Sequence, residues 1–191
     1  MSAKPRLLGI SGSLRKASTN TAILKALASA VADRAALEIF PLNDIPLYDQ
    51  DIDVEPPLLA VAAFREAIAK ADGVVISSPE YNYGMSGVLK NALDWASRPY
   101  GNSRLTGKPV LTITASAAST GGVRAQGQLN ETLTAIAALV VLRPQSVIGS
   151  VFQKMTDGKF TDETSLKFLS AAIDDLLRDI TRTQAVIEQE S

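Results

Sequence analysis

Four short runs, "RLLGIS" at 6–11, "LEIF" at 37–40, "GVVISS" at 73–78 and "PVLTIT" at 109–114, are apolar, rich in β-branched residues and almost without alternation. A strand with one wet face alternates apolar and polar residues, so runs like these are buried on both faces, as parallel strands are. A fifth stretch, 139–148, fits less cleanly. Helical stripes lie between and after them. Ile23, Leu27, Ala30 and Val31 recur in 20–34, and Leu58, Val61, Ala62, Arg65 and Ile68 in 58–70. Leu89, Ala92, Leu93 and Ala96 do so in 86–97, and Leu129, Leu133, Ile136 and Ala137 in 124–138. A final long helix carries Leu166, Leu169, Ile173, Leu176, Leu177 and Ile180. Strand–helix alternation with right-handed crossovers predicts an α/β, doubly wound sheet of about five parallel strands with helices on both faces. Ligands of such a sheet bind outside the carboxyl ends of its strands.

A chain of 191 residues, 46% of them hydrophobic, suits one domain spanning 1–191, and no repeat or linker divides it. Net charge is −1 with both signs scattered, which speaks for a small-molecule partner and against nucleic acid. Cys and His are both absent, which removes disulfides, a thiolate nucleophile, an imidazole base and the usual zinc site. The start is interrupted by Gly and Ser too soon for a signal peptide, and "AIAALVVL" is too short to span a bilayer, so a cytoplasmic location without membrane contact is expected. Residues 41–57, irregular and acidic, are expected to cover the fold rather than to wall a site.

Three polar loops follow strands and converge at one end of the predicted sheet. In "SGSLRKASTN" at 11–20, hydroxyls surround Arg15 and Lys16 at a helix start, which suits a compact anion; the plainer alternative is that Ser18 or Asn20 only caps the helix. The glycines of a dinucleotide fingerprint and the Gly-Lys-Ser/Thr of a triphosphate loop are missing. Side-chain hydroxyls with a guanidinium instead suit a terminal monophosphate, as on FMN. In "SSPEYNYGMSG" at 77–87, backbone amides and Asn82 suit the polar edge of a planar heterocycle, with Tyr81 and Tyr83 beside its faces. The alternative is a capped turn with two surface tyrosines. "ASAASTGG" at 115–122 offers Ser116, Ser119 and Thr120 beside two glycines, and reads equally as a flexible turn. Trp95 is expected in packing, and Glu80 is expected to be solvated or locally hydrogen-bonded rather than a base.

At these residues the chain resembles the NADPH-dependent FMN reductase family, which includes bacterial chromate and quinone reductases and azoreductase-like enzymes. The motifs are "GSLRKASTN" at 12–20, "DIPLYDQD" at 44–51, "DGVVISSPEYNYGMSGVLKNALDW" at 72–95, "GKPV" at 107–110 and "GGVRAQ" at 121–126. The resemblance implies a flavodoxin-like sheet in order 2-1-3-4-5, noncovalent FMN, NAD(P)H as co-substrate, and a homodimer or homotetramer. It places Ser13, Arg15, Ser18 and Asn20, with Thr19 and Thr21 nearby, at the FMN phosphate. Pro79, Glu80, Tyr81, Asn82, Tyr83 and Gly84 would line the ribityl chain and the ring, and Ser116 would touch the ring side. Electrons would pass from NAD(P)H to a small-molecule acceptor: a quinone, an azo compound or an oxidised metal ion such as chromate. Gly127 stands where some relatives have Tyr, which weakens any transfer of subunit contacts near Arg124. Two other readings are a flavodoxin-type electron carrier, and an enzyme acting on a nucleotide or sugar phosphate with Glu80 as nucleophile or base.

Overall fold

The computed structural model describes residues 4–190, so residues 1–3 and Ser191 of the expected domain and chain start lie outside the described residues. In chain order the elements are β1 (Arg6–Ser11), α1 (Thr19–Ala30), β2 (Ala36–Phe40), α2 (Leu59–Lys70), β3 (Gly73–Ser78), the short pair β4 (Glu80–Tyr81) and β5 (Gly84–Met85), and α3 (Gly87–Ala96). Then follow β6 (Pro109–Ala115), α4 (Val123–Ala135), β7 (Leu139–Val140), β8 (Ser146–Ile148), the short pair β9 (Met155–Thr156) and β10 (Lys159–Phe160), and α5 (Glu163–Glu190).

The sheet runs β2-β1-β3-β6 in parallel, and both β7 and β8 pair with the outer edge of β6. Counted by its long strands this is the expected flavodoxin-like order 2-1-3-4-5, with the fifth strand in two pieces. Val140 lies opposite Val110 and Ser146 opposite Ile113, so residues 141–145 bridge a gap that only Leu111 and Thr112 span on β6. Pro144 within that bridge has no amide to give to a ladder, which explains why 139–148 reads as a broken strand.

Alternate residues of the buried strands serve two cores. Leu7, Val75, Leu111 and Ile113 meet Ile23, Leu27 and Val31 of the α1 region and Leu169, Ile173, Leu176 and Ile180 of α5. Leu8, Ile10, Val74, Ile76 and Val110 meet Phe64 and Ile68 of α2, Leu89 and Leu93 of α3, and Leu129 and Leu133 of α4. Two expected stripes need correction. The inward face of α2 is Val61, Phe64 and Ile68, while Leu58 is 41% exposed. Helix α4 ends at Ala135, and Ala137, at φ +60°, is exposed where the chain turns toward β7. Among the described residues no helix is long and apolar enough to cross a membrane.

Residues 41–57 cover α2 and α3, as expected. Asn91 Nδ2 and Trp95 Nε1, one turn apart on α3, both donate to the Pro46 carbonyl at 2.7 and 2.9 Å, and the Tyr48 amide donates to Asn91 Oδ1 at 2.7 Å. Trp95 is fully buried with Tyr48 edge-on at 4.9 Å, so its role is core packing. Arg65 fixes the far end of the segment through an ion pair with Asp53 at 2.9 Å.

At the start of α5, the Asp162 carboxylate accepts from the Ser165 amide at 2.9 Å and from Lys154 Nζ at 3.0 Å. The Ser165 hydroxyl first, then Lys154 and the Ser165 amide, hold this carboxyl down to about 2. A depressed native value stabilises the fold above the unfolded value, near 3.8, and the contribution is lost as pH falls toward 2. Asp162→Ala is therefore expected to cost about 1 kcal/mol at neutral pH. Urea unfolding at pH 7 and pH 3 checks this: the gap between variant and parent should narrow in acid, and a constant gap would contradict the assignment.

Candidate functional site

The carboxyl ends of β1, β3 and β6 carry the three loops named from the sequence, and the end of β8 adds a fourth segment. The Ser18 side chain caps α1 by accepting from the Thr21 amide at 3.1 Å. As in any helix start, the amides of Thr19 and Asn20 have no partner within α1 and remain as donors, at the positive end of the helix dipole. They border a cavity of about 150 Å³. Ser13, Arg15, Ser18, Thr19 and Asn20 line it from the first loop, Pro79, Glu80 and Tyr81 from the second, Ser116 from the third, and Val151 and Phe152 from the fourth segment. Arg15 is exposed and, among the described residues, belongs to no ion pair.

Not every expected residue faces this cavity in the same way. Asn20 is buried and its Oδ1 accepts from Ser77 Oγ at 2.8 Å, which ties α1 to β3. Thr21 Oγ1 donates to Ser11 Oγ at 2.8 Å and lines a neighbouring hollow instead. Asn82, Tyr83 and Gly84 form the tip of the hairpin made by β4 and β5 rather than the cavity wall.

That hairpin is held in an unusual conformation. Asn82 and Tyr83 both lie in the left-handed region, at φ +50° and +68°, the signs required by a two-residue hairpin turn. For a bulky Tyr this costs roughly 1 kcal/mol and persists only where the surroundings hold it. Helix α4 does the holding. Glu80 Oε2 accepts from the Arg124 and Ala125 amides, both at 3.0 Å, and Gln128 Oε1 accepts from the Met85 amide at 2.8 Å. The Arg124 guanidinium lies 4.4 Å from the centre of the Tyr83 ring. Tyr81 and Tyr83 stay exposed.

Glu80 thus supplies what α4 lacks. The residue at its N-cap position is Gly122, without a side chain, at φ +88°, where a Cβ would stand 3.1 Å from Thr114 Cβ and 3.3 Å from Glu80 Cβ. Glu80 is hydrogen-bonded, but across to another element rather than locally as expected, and one oxygen is committed to two amides. This use as a helix cap accounts for Glu80 without a role as nucleophile or base.

In the third loop, Ser116 Oγ accepts from the Ala118 amide at 3.2 Å and so shapes its own turn. The Ser116 amide donates to the Ile148 carbonyl at 3.1 Å, and the Val151 amide donates to the Ser116 carbonyl at 3.0 Å. A Cβ on Gly149 would lie 2.1 Å from the Ser119 carbonyl oxygen, so the two segments meet backbone to backbone. This contact brings Phe152, 57% exposed, to the cavity. Sequence reasoning missed Gln128 and Phe152. The signal for Phe152 was its place just after a strand, where every other site loop begins.

Residues 5–153 match the model of the NADPH-dependent FMN reductase family. The chain belongs to this family. Within the reach of the family, the chain is 36% identical over 176 residues to a quinone reductase of Pseudomonas putida, covering 92% of this chain and 94% of that protein. It is 43% identical over 152 residues to an NAD(P)H-dependent FMN reductase of Pseudomonas aeruginosa, covering 78% of this chain and 80% of that one. Its fold is similar to that of FerB, a flavoenzyme NAD(P)H:(acceptor) oxidoreductase from Paracoccus denitrificans, with a TM-score of 0.83 and 30% identity over 94% of this chain and 98% of that one.

Proposed function

We propose that this chain, as one cytoplasmic domain assembled into a homodimer or homotetramer, is an NAD(P)H-dependent reductase that holds FMN and passes electrons to quinones, with azo compounds and chromate as further acceptors. The observation that carries this reading is the convergence, on one cavity, of helix-start amides, the hydroxyls of Ser13, Ser18 and Thr19, and Arg15, which among the described residues belongs to no ion pair. This donor set fits a terminal phosphate. Glu80 is the carboxylate on the wall, and its Oε2 is turned to the α4 amides, with Arg124 3.9 Å from its other oxygen.

At about 150 Å³ the cavity is smaller than sites that enclose a whole cofactor, so it takes the phosphate tail while the ring lies by the hairpin. There the amides of Asn82 and Tyr83 and the exposed tyrosine faces serve the polar edge and the flat sides of the heterocycle. When bound, FMN supplies the redox centre, so a chain with neither Cys nor His has the chemistry it needs. The residues of the protein bind and orient: Arg15 and the α1 amides hold the phosphate, and Glu80 and Gln128 fix the hairpin. Phe152 and Val151 keep water from the phosphate end, which strengthens the hydrogen bonds there.

Phe152→Ala is expected to raise the Kd for FMN about three- to tenfold, through lost apolar contact of about 1 kcal/mol. Quenching of flavin fluorescence measures it, and an unchanged Kd would remove Phe152 from the site. The function itself is tested by NADPH and NADH oxidation with FMN present and a quinone, an azo dye or chromate as acceptor. Quinone-dependent oxidation is expected; no acceptor-dependent oxidation with either nucleotide would overturn the reading.

A further inference from the structure

The flavin site proposed above is made of two segments that follow different strands: the first loop, after β1, holds the phosphate, and the hairpin of β4 and β5, after β3, holds the ring. Gly12, buried, is where the first of these leaves β1. Its amide donates to the Ser77 carbonyl of β3 at 2.8 Å, and its carbonyl accepts from Ser86 Oγ at 2.6 Å. Ser86 follows the hairpin directly and is 2% exposed. Its hydroxyl also caps α3, accepting from the Leu89 amide at 3.2 Å, so it donates one way and accepts the other. A Cβ on Gly12 would stand 3.0 Å from Ser86 Oγ and 3.2 Å from Pro79 Cδ, so the loop passes close against both residues.

Among the described residues, this is the one hydrogen bond between 12–18 and 80–86. Leu14, Arg15, Lys16 and Ala17 are exposed, so the loop is held at its two ends, by Gly12 and by Ser18 at the start of α1. Of these two anchors only Gly12 is bonded to the hairpin side. Asn20, bonded to Ser77, fixes α1 to β3 by a separate route. A ligand anchored at one end meets the second half-site at an effective concentration that falls as the spacing between the halves varies. A spacing fixed beforehand spares the cost of ordering it on binding.

We propose that Ser86 is a positioning residue: it holds the phosphate loop and the ring-side hairpin at one spacing, so that a single FMN engages both. Ser86 does not line the cavity itself, and it acts through Gly12 on one side and the hairpin exit on the other. The proposal rests on the reading of the chain as a reductase that holds FMN. Without the hydroxyl the buried Gly12 carbonyl loses its partner, and the loop regains freedom that the bond had removed.

The test compares Ser86→Ala and Ser86→Gly with the parent, by quenching of the fluorescence of FMN and of riboflavin, which carries the same ring and ribityl chain without the phosphate. Both variants are expected to raise the Kd for FMN about tenfold and that for riboflavin less than about twofold. Glycine is a serviceable helix cap and alanine a poor one, so Ser86→Ala should melt below Ser86→Gly while the two lose FMN affinity equally. In the protein without flavin, amide exchange at 13–17 should quicken in both variants, with α1 beyond its first turn unchanged. Unchanged FMN affinity, equal losses for FMN and riboflavin, losses that follow the melting temperatures, or unchanged exchange at 13–17 would each overturn the proposal. So would a parent that binds riboflavin not at all, or as tightly as FMN, since one half-site would then carry all of the affinity. A parent that binds no FMN would overturn the cofactor reading, and quickened exchange would still leave Ser86 as the tether of the loop. Variants that behave as expected, in a protein that oxidises neither NADPH nor NADH, would overturn the reductase reading and leave the proposal.

Discussion

Arg15→Ala is expected to weaken FMN binding about thirtyfold, the equivalent of ~2 kcal/mol for a hydrogen bond between two charged groups at a partly enclosed site. The guanidinium sits on the cavity wall beside the α1 amides and, among the described residues, is tied to no acid, so it is available to the phosphate. Arg15→Lys keeps the charge but loses the planar fork, and an intermediate loss is expected. Because Arg15 is exposed, stability without flavin should not move in either variant. The loss should also shrink as salt rises, since screening already weakens the parent. An FMN affinity equal to that of the parent would remove Arg15 from the phosphate site.

Glu80→Ala is expected to act on the fold and the site together. It removes the acceptor for two amides at the α4 start and the negative charge that complements the helix dipole there. A lost cap and a lost charge at a helix start together cost about 2 kcal/mol. For a chain of this size the midpoint of thermal unfolding should then fall by about 4–8 °C. The hairpin with its left-handed Asn82 and Tyr83 loses one of its ties to α4, so FMN affinity is expected to fall as well. Glu80→Gln retains an acceptor oxygen without the charge, and about half the thermal shift is expected. If Glu80 were instead a general base, Glu80→Gln would abolish turnover while leaving the melting temperature and FMN affinity unchanged.

Much of this architecture is written locally. The apolar runs of β1, β3 and β6 are buried on both faces, which leaves no room for polar alternation, and the loops after these three met where a doubly wound sheet must bring them. Strand β2 corrects the expectation for 37–40, since at the sheet edge it buries Leu37 but leaves Ala36 and Glu38 exposed. What escaped depends on partners distant in sequence. Phe64 faces the core with Leu8 and Val74 of the sheet, although it lay outside the stripe read from the periodicity of 58–70. Glu80 was visible as a loop carboxylate, but its bond partners, the Arg124 and Ala125 amides, become its neighbours only when α4 is laid beside β6. Gln128 has an ordinary place on a helix face, and nothing local marks it as the acceptor for Met85. Phe152 follows a strand whose register breaks at 141–145, so the weakest strand in the sequence concealed the fourth wall of the site.

The most direct test is an anaerobic titration of the FMN-loaded protein with NADPH, followed through the visible absorption of the flavin. Rapid bleaching at one equivalent of NADPH, reversed on adding a quinone, is the expected result. A protein that retains no FMN, or one whose bound flavin stays oxidised with both NADPH and NADH, would contradict the proposed function.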